Sequence, residues 1–425
     1  MGKEKEKKMS ITLVTDTSYG AKIKVIGVGG AGGNAINNMI DKGLDSVDFI
    51  ALNTDMQDLE RNKADMKVQI GRNTTLGLGA GMDESKGAKA VEESREEIEQ
   101  MIRGSDMVFI TAGMGGGTGT GGAPAVARIA KSTGALVVGI VTKPFDFEGE
   151  ERLRIAEEGL KRLKQELDSC IIIPNERLLN LFGEEITLEN SFRKVDDVLY
   201  NATRGISDII TRKGKVNVDF ADVKTIMRDM GDALMGIGYA KGEQKALRAT
   251  QEAIDNPLLE GVSINGSKSI LLNIIADPNF KISELKNMTE LISNSVGSSY
   301  SKLIWGVVSD DRLEDEIIVT IIATGFSTAQ QKQLNTYPMK EEVKTKNLLL
   351  DIEKESNIVK IPSTQQELQN LDIPTVQRKH LLDDDEVRKI RTRNEELNLE
   401  EFDFDSDDLK ISNEEKPAFL RRQMD

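Results

Sequence analysis

The sequence predicts an α/β protein: a parallel-sheet domain, a long central helix, a smaller α/β domain and a disordered C-terminal tail. Three observations carry that prediction. Short apolar runs alternate with helical patterns as far as Leu178, which is the signature of a parallel sheet with helices on both faces. Apolar residues then keep helical spacing from Leu188 to about Thr211, interrupted only by Gly205. After about Ser327 the composition turns to Gln, Lys, Glu, Asn and Asp with no sustained period, as in a disordered linker.

The elements follow in order. Residues 22–28 (KIKVIGV) read as a buried strand, and GGAGGN then opens a helix carrying Ile36, Met39 and Ile40 at helical spacing. A second strand at 47–52 ends at Asn53-Thr54-Asp55. MVFITA at 107–112 runs into GMGGGTGTGG and a helix through Ala125–Lys131. ALVVGIVT and CIIIP are further strands, separated by a helix around Glu150–Leu167. Both glycine loops therefore lie at the carboxyl ends of parallel strands, where ligands bind in such sheets. The central helix stops at Arg212-Lys213-Gly214, a basic turn followed by glycine. Helices near 219–230 and 243–254, with strands SILLNIIAD, LIWGVVS and EIIVTIIAT, build the second domain. The expected organisation is a flexible segment at 1–20, a first domain at 21–187, the central helix at 188–214, a second domain at 215–328, a linker at 329–412 and a terminal peptide at 413–425. Two apolar patches of the linker, NLLLDI and EVRKIRTR, are candidates for transient helices.

Composition excludes several function classes. A net charge of −15 and a pI near 4.9 argue against non-specific nucleic-acid binding, which needs a basic face. No apolar run approaches the roughly 20 residues of a membrane span, and MGKEKEKKMS lacks the apolar core of a secretory signal, so a cytoplasmic location is expected. The one cysteine, Cys170, reads as a buried small residue. The one histidine, His380, falls in the tail, which leaves acid–base work in the core to carboxylates or positioned water.

The chemistry concentrates in the glycines. Gly27-x-Gly29-x-x-Gly32 matches a dinucleotide fingerprint, with Asp55 at about the distance of a ribose-binding acid, although such glycines also serve close helix–strand packing. The second loop supports an anion site, because two helix N-termini would face one crevice. It holds threonines but lacks the lysine of the usual phosphate loop. The helix ends supply about half a positive charge each, too little for a nucleoside triphosphate. A bound cation must supply the rest, and Mg²⁺ held largely by phosphates and water is expected.

GGGTGTG without a lysine resembles the signature loop of the tubulin superfamily. GVGGAGGN at 27–34, GLGAG at 77–81, PFDFEGEER at 144–152, IIIPNERL at 171–178 and NVDFADVKTIM at 217–227 narrow the resemblance to its bacterial cell-division GTPase branch, the FtsZ family, over roughly residues 20–328. The resemblance implies a tubulin-like fold, GTP and GDP as ligands, and self-assembly into head-to-tail filaments that form the division ring at the septum. It implies that Gly30, Ala31, Gly32, Gly33 and Asn34 lie along the phosphates, with Gly117, Thr118 and Gly119 as the second wall. Ala80 and Gly81 would sense the γ-phosphate, Glu148 and Arg152 would contact sugar and phosphate, and Asn175 and Asp196 would contact guanine beneath a stacked Phe192. A carboxylate accepting from N1–H and N2–H selects guanine over adenine. On their own, Asp196 reads as an exposed acid paired with Lys194 or Arg193, and Phe192 as core.

Asn217, Asp219 and Asp222 form the candidate catalytic element, although Asp219 or Asn217 alone reads as a helix cap. With Phe192 and Asp196 at the base, the helix carries the chain away at about 1.5 Å per residue and ends roughly 25–30 Å off. Those acids can then reach the phosphates of a neighbouring subunit stacked head to tail, a contact that does not close on itself between subunits related mainly by translation and so builds a filament. GTP hydrolysis would depend on polymerisation, with the acids orienting or polarising water; whether a monovalent cation assists stays open. KPAFLRRQ at 416–423 resembles the family's terminal peptide for membrane-tethering and regulatory division proteins, so membrane contact would be indirect. It lacks the acidic-Ile pair before PAF, while an LDIP stands earlier at 371–374. A nucleotide-binding filament without turnover and, less readily, a dinucleotide-dependent oxidoreductase remain as other readings.

Overall fold

The apolar runs become strands of one continuous sheet. The structure, a computed structural model, describes residues 20–182, 186–212, 214, 216, 218–259, 264, 266–296 and 302–326. The tail, the terminal peptide, His380 and Asn217 therefore lie outside the described residues, as does most of the 1–20 segment.

Six strands build the first half: β1 (Ile23–Val28), β2 (Asp48–Asn53), β3 (Met66–Gln69), β4 (Met107–Gly113), β5 (Leu136–Lys143) and β6 (Ser169–Pro174). Four build the second: β7 (Gly231–Lys241), β8 (Ser269–Ala276), β9 (Lys302–Ser309) and β10 (Glu316–Thr324). Their order across the sheet is β3-β2-β1-β4-β5-β6-β7-β10-β8-β9. All pairings from β3 to β7 are parallel; β10 runs antiparallel to β7 and β8, and β8 pairs parallel with β9. The two halves join through a short pairing of Ser169–Ile171 with Gly231–Ala233. Helices cover both faces, so β5 is buried at every residue.

The helices are α1 (Gly29–Asp41), α2 (Met56–Arg61), α3 (Arg72–Thr75), α4 (Glu84–Glu93), α5 (Arg95–Ile102), α6 (Thr118–Ser132), α7 (Glu150–Glu166), α8 (Asn175–Phe182), α9 (Leu188–Thr211), α10 (Phe220–Met227), α11 (Lys245–Ile254) and α12 (Ile282–Val296). The central helix, α9, has the predicted span of 24 residues, which makes it about 36 Å long. The Thr187 hydroxyl caps its start by accepting from the Asn190 N–H. Near its end the fully buried Asp208 is held between Arg204 at 2.9 Å and Arg212 at 3.0 Å. An apolar cluster including Ile36 of α1, Leu199 of α9, Ile226 of α10 and Leu271 of β8 spans both halves, so α9 is a shared core element.

Cys170 is buried, and loss of solvent pushes its thiol up to about 12, which makes it inert at neutral pH. The sequence reading missed β7. Its Gly236 and Gly238 lie so close to α11 that a Cβ on either would stand 1.9 Å from the Ala253 or Ala249 carbonyl oxygen. Those glycines weaken the strand pattern while permitting close packing of α11 on β7.

Candidate functional site

β1 and β4 are neighbours whose ends align, Val28 opposite Ala112, and this register brings the two glycine loops together. Gly30, Ala31, Gly32, Gly33 and Asn34 form the first turns of α1; Gly117 precedes α6, which Thr118 and Gly119 begin. Neither helix start has a side-chain cap, so the N–H groups of both face the crevice unspent. Gly29, at φ +74°, lets the loops touch: a Cβ there would stand 3.0 Å from the Gly119 nitrogen.

The glycines divide their work. A Cβ on Gly32 would meet the Thr111 carbonyl oxygen at 2.5 Å, and one on Gly119 would meet that of Gly113 at 2.6 Å. These two residues fit helices closely onto β4, in addition to any part their N–H groups play. Gly117 takes the loop of Ala80 and Gly81 in the same way, with the Gly81 oxygen at 2.4 Å and the Ala80 side chain at 3.0 Å from its Cβ position. Gly116 and Gly81 differ, since a Cβ on either would meet nothing within 4 Å. The cradle is open there. The segment leading to Ala80 and Gly81 is itself pinned: Met56 N–H donates to the Gly77 oxygen, and the Glu93 carboxylate accepts from both Asn73 and Thr74.

At the other side of the crevice, Glu148 accepts from the Phe145 N–H at 2.9 Å and from Arg152 at 2.6 Å. Phe145 is buried, stacks on Phe147 and meets the Phe192 ring edge-on at 5.3 Å. Phe192 is 42% exposed and is not core. Asn175, which begins α8, is buried with its Oδ1 lacking any hydrogen-bond partner among the described residues. Such an orphan acceptor is costly unless a ligand donor meets it. Asp196, one turn beyond Phe192, forms no hydrogen bond or ion pair among the described residues, so pairing with Lys194 or Arg193 does not occur. Burial first, and the Asp197 carboxylate second, push its carboxyl up to about 7. Asp197 itself ties α9 to α1 through Asn38 at 3.1 Å and Lys42 at 2.7 Å.

Asp219 and Asp222 stand apart from this group, beyond the far end of α9 and on the start of α10. Asp219 occupies the N-cap position, yet its side chain makes no cap hydrogen bond. Both acids are exposed.

The sequence profile of the GTPase domain of the Tubulin/FtsZ family matches residues 22–183, and that of the FtsZ family C-terminal domain matches residues 231–327. An empty FtsZ dimer from M. jannaschii is 43% identical, with a TM-score of 0.69 over 72% of this chain and 88% of that one. The chain belongs to the FtsZ family. A tryptophan-to-tyrosine mutant of M. jannaschii FtsZ gives the same identity and TM-score over 72% of this chain and 92% of that one. GDP-bound CetZ1 from Haloferax volcanii, 22% identical over 74% of this chain and 97% of that one, shares the fold at a TM-score of 0.64.

As a member of the FtsZ family the chain carries a tubulin-like GTPase domain, and the crevice lies within it. The oxidoreductase reading loses its acid: Asp55 is the N-cap of α2, accepting from the Gln57 and Asp58 N–H groups. Sequence reasoning passed over Thr54, which is wholly buried between the two loops. Its one signal was its position at the carboxyl end of β2. Among the described residues no group of three or more His, Cys, Asp or Glu is arranged to hold a metal ion, and no helix is long and apolar enough to cross a membrane.

Proposed function

We propose that this FtsZ-family protein binds GTP in the crevice between α1 and α6 and hydrolyses it where two copies stack head to tail, building a cytoskeletal filament at the division site. The observation that carries the reading is the separation of the two half-sites. Asp219 and Asp222 are exposed, uncapped carboxylates at the opposite end of a helix about 36 Å long from Phe192 and Asp196. Among the described residues Asp219 makes no cap hydrogen bond, and neither acid lines the crevice. A neighbour stacked below presents its phosphates to them.

In this reading residues 21–187 bind nucleotide, 188–214 connect, and 215–328 bring the acids to the next subunit. Guanine lies between Phe192 and the orphan Asn175 oxygen, which accepts one donor of the base while Asp196 accepts the N1–H and N2–H pair. Glu148 and Arg152 hold the sugar side. The unspent N–H groups of α1 and α6 hold the phosphates at the open faces of Gly81 and Gly116. This lysine-free cradle fits a magnesium nucleotide, whose ion, carried by the phosphates held between the two loops, would supply the missing positive charge. Asp219 and Asp222, with Asn217 steadying their loop, orient water for attack on the γ-phosphorus as its bond to the bridging oxygen breaks, releasing GDP and phosphate. The dimer of M. jannaschii FtsZ supports self-association, while the GTPγS-bound protofilament of Haloferax volcanii CetZ2, at 19% identity, shares the fold. Residues 413–425 take the tethering and regulatory partners.

The test is GTP turnover per subunit against protein concentration, with Mg²⁺ present and polymer pelleted from the same samples. Near-zero activity below a threshold, rising with pelleted polymer, is the expected result. Constant specific activity from dilute monomer upward overturns the shared site.

A further inference from the structure

Thr54 joins the parts of the crevice without touching it from the outside. It is fully buried, and its Oγ1 lies 2.6 Å from the Thr118 Oγ1. Its carbonyl oxygen accepts from the Thr75 hydroxyl at 3.3 Å and the Gly79 N–H at 3.4 Å, both in the segment leading to Ala80 and Gly81. One residue therefore contacts the signature loop through its side chain and the γ-phosphate loop through its backbone.

Counting protons gives the pair a direction. A threonine hydroxyl has one proton to donate and two lone pairs to accept. Among the described residues the Thr118 hydroxyl is the sole hydrogen-bond partner of the Thr54 side chain, so the buried Thr54 proton goes there or goes unsatisfied. With Thr54 donating, Thr118 keeps its own proton free. Thr118 is half-exposed at the first position of α6, while its Cβ lies 3.3 Å from the Cβ position of Gly29 on the other loop. A phosphate oxygen accepts and does not donate, so a hydroxyl locked as donor is the form that binds it.

We infer that Thr54 is a positioning residue for GTP binding and hydrolysis: by donating to Thr118 it fixes that hydroxyl as a donor to the nucleotide phosphates and couples the signature loop to the γ-phosphate loop. The inference rests on the crevice between α1 and α6 being the phosphate site.

A double-mutant cycle on the full chain tests it, using Thr54→Val, Thr118→Val, the double variant and Thr54→Ser, with GTP and GDP affinity and polymer-supported turnover measured for each. Valine keeps the threonine shape and removes the hydroxyl. We expect Thr54→Val to weaken GTP binding about fivefold to tenfold, with a smaller effect on GDP, in line with loss of one oriented hydrogen bond. Thr54→Ser should restore the wild-type value to within about twofold, and Thr54→Val should add nothing in the Thr118→Val background. A purely structural Thr54 gives additive losses, equal for GTP and GDP, and overturns the inference. An unchanged GTP affinity in Thr118→Val removes the phosphate site itself and the inference with it. Loss in Thr118→Val with none in Thr54→Val sinks the inference alone.

Discussion

The two ends of α9 treat carboxylates in opposite ways. Near its start, Asp196 is half-buried, unpaired among the described residues, and raised to about 7 by that burial and by Asp197. Beyond its end, Asp219 and Asp222 stand in solvent at the first turn of α10, where Asp219 has the position of a cap and not the bond. A half-buried acid with no partner is pushed toward its neutral form, and a ligand that donates two hydrogen bonds relieves it. An exposed acid with no partner costs little to maintain and remains available to another molecule. Under the proposed function, the contrast separates recognition, completed within a chain, from hydrolysis, completed between chains.

The far end should show the largest effect. Asp222→Ala removes a group proposed to orient water and leaves the crevice intact, so turnover should fall by on the order of a hundredfold. GTP affinity and pelleting should remain within about twofold of wild type. Wild-type turnover in normally pelleting Asp222→Ala would break the assignment, while a wild-type protein that pelleted with no turnover at all would favour a filament that merely binds nucleotide.

The near end should respond to pH. The folded Asp196 carboxyl is raised above its ordinary 3.8, so between about pH 4 and pH 7 the folded chain holds a proton that the unfolded chain has lost. This group favours the fold at the low end of that window, and the contribution is lost as pH rises through 7. Guanine binding has the opposite sign, because the ionised carboxylate is the form that accepts both donors. GTP affinity should therefore be about tenfold weaker at pH 6 than at pH 8, and Asp196→Asn should bind weakly with a flat profile. Titration calorimetry at both pH values decides; a wild-type affinity that is flat across the range would detach Asp196 from the base.

Legibility divides along the same line between local pattern and distant contact. β1, β4, β5, β8 and β10 were readable because strands buried on both faces are continuous apolar runs, and α9 because its apolar stripe meets no breaker. β7 was not, since its glycines answer to α11 rather than to the strand. In the site, the glycine loops could be found as motifs, but which glycine packs and which opens onto the ligand depends on backbone approaching from elsewhere, as Gly81 approaches Gly117. Asp55 looked like a ribose acid at the right spacing and proves to be a cap, a distinction set by two N–H groups of α2. The Thr54–Thr118 contact spans 64 positions and leaves no trace in either local sequence. The exposed orientation of Asp219 is likewise a property of the folded loop, since sequence alone favours the cap.

That last point yields the smallest and most direct comparison. Thr187 caps α9 with a hydrogen bond to the Asn190 N–H, and Asp219 stands at the cap of α10 without one. Thr187→Ala should cost about 1 kcal/mol of stability. Asp219→Ala forfeits only the attraction of an exposed acid for a helix N-terminus, a few tenths of a kcal/mol. Urea denaturation of the two variants beside wild type, without nucleotide and below the concentration of assembly, measures the difference directly. An Asp219 loss as large as that of Thr187 would make Asp219 a structural cap, and its carboxylate would then be occupied within its own chain. A loss well below it leaves the carboxylate idle in the monomer, the condition an acid must meet to act on the nucleotide of the next subunit.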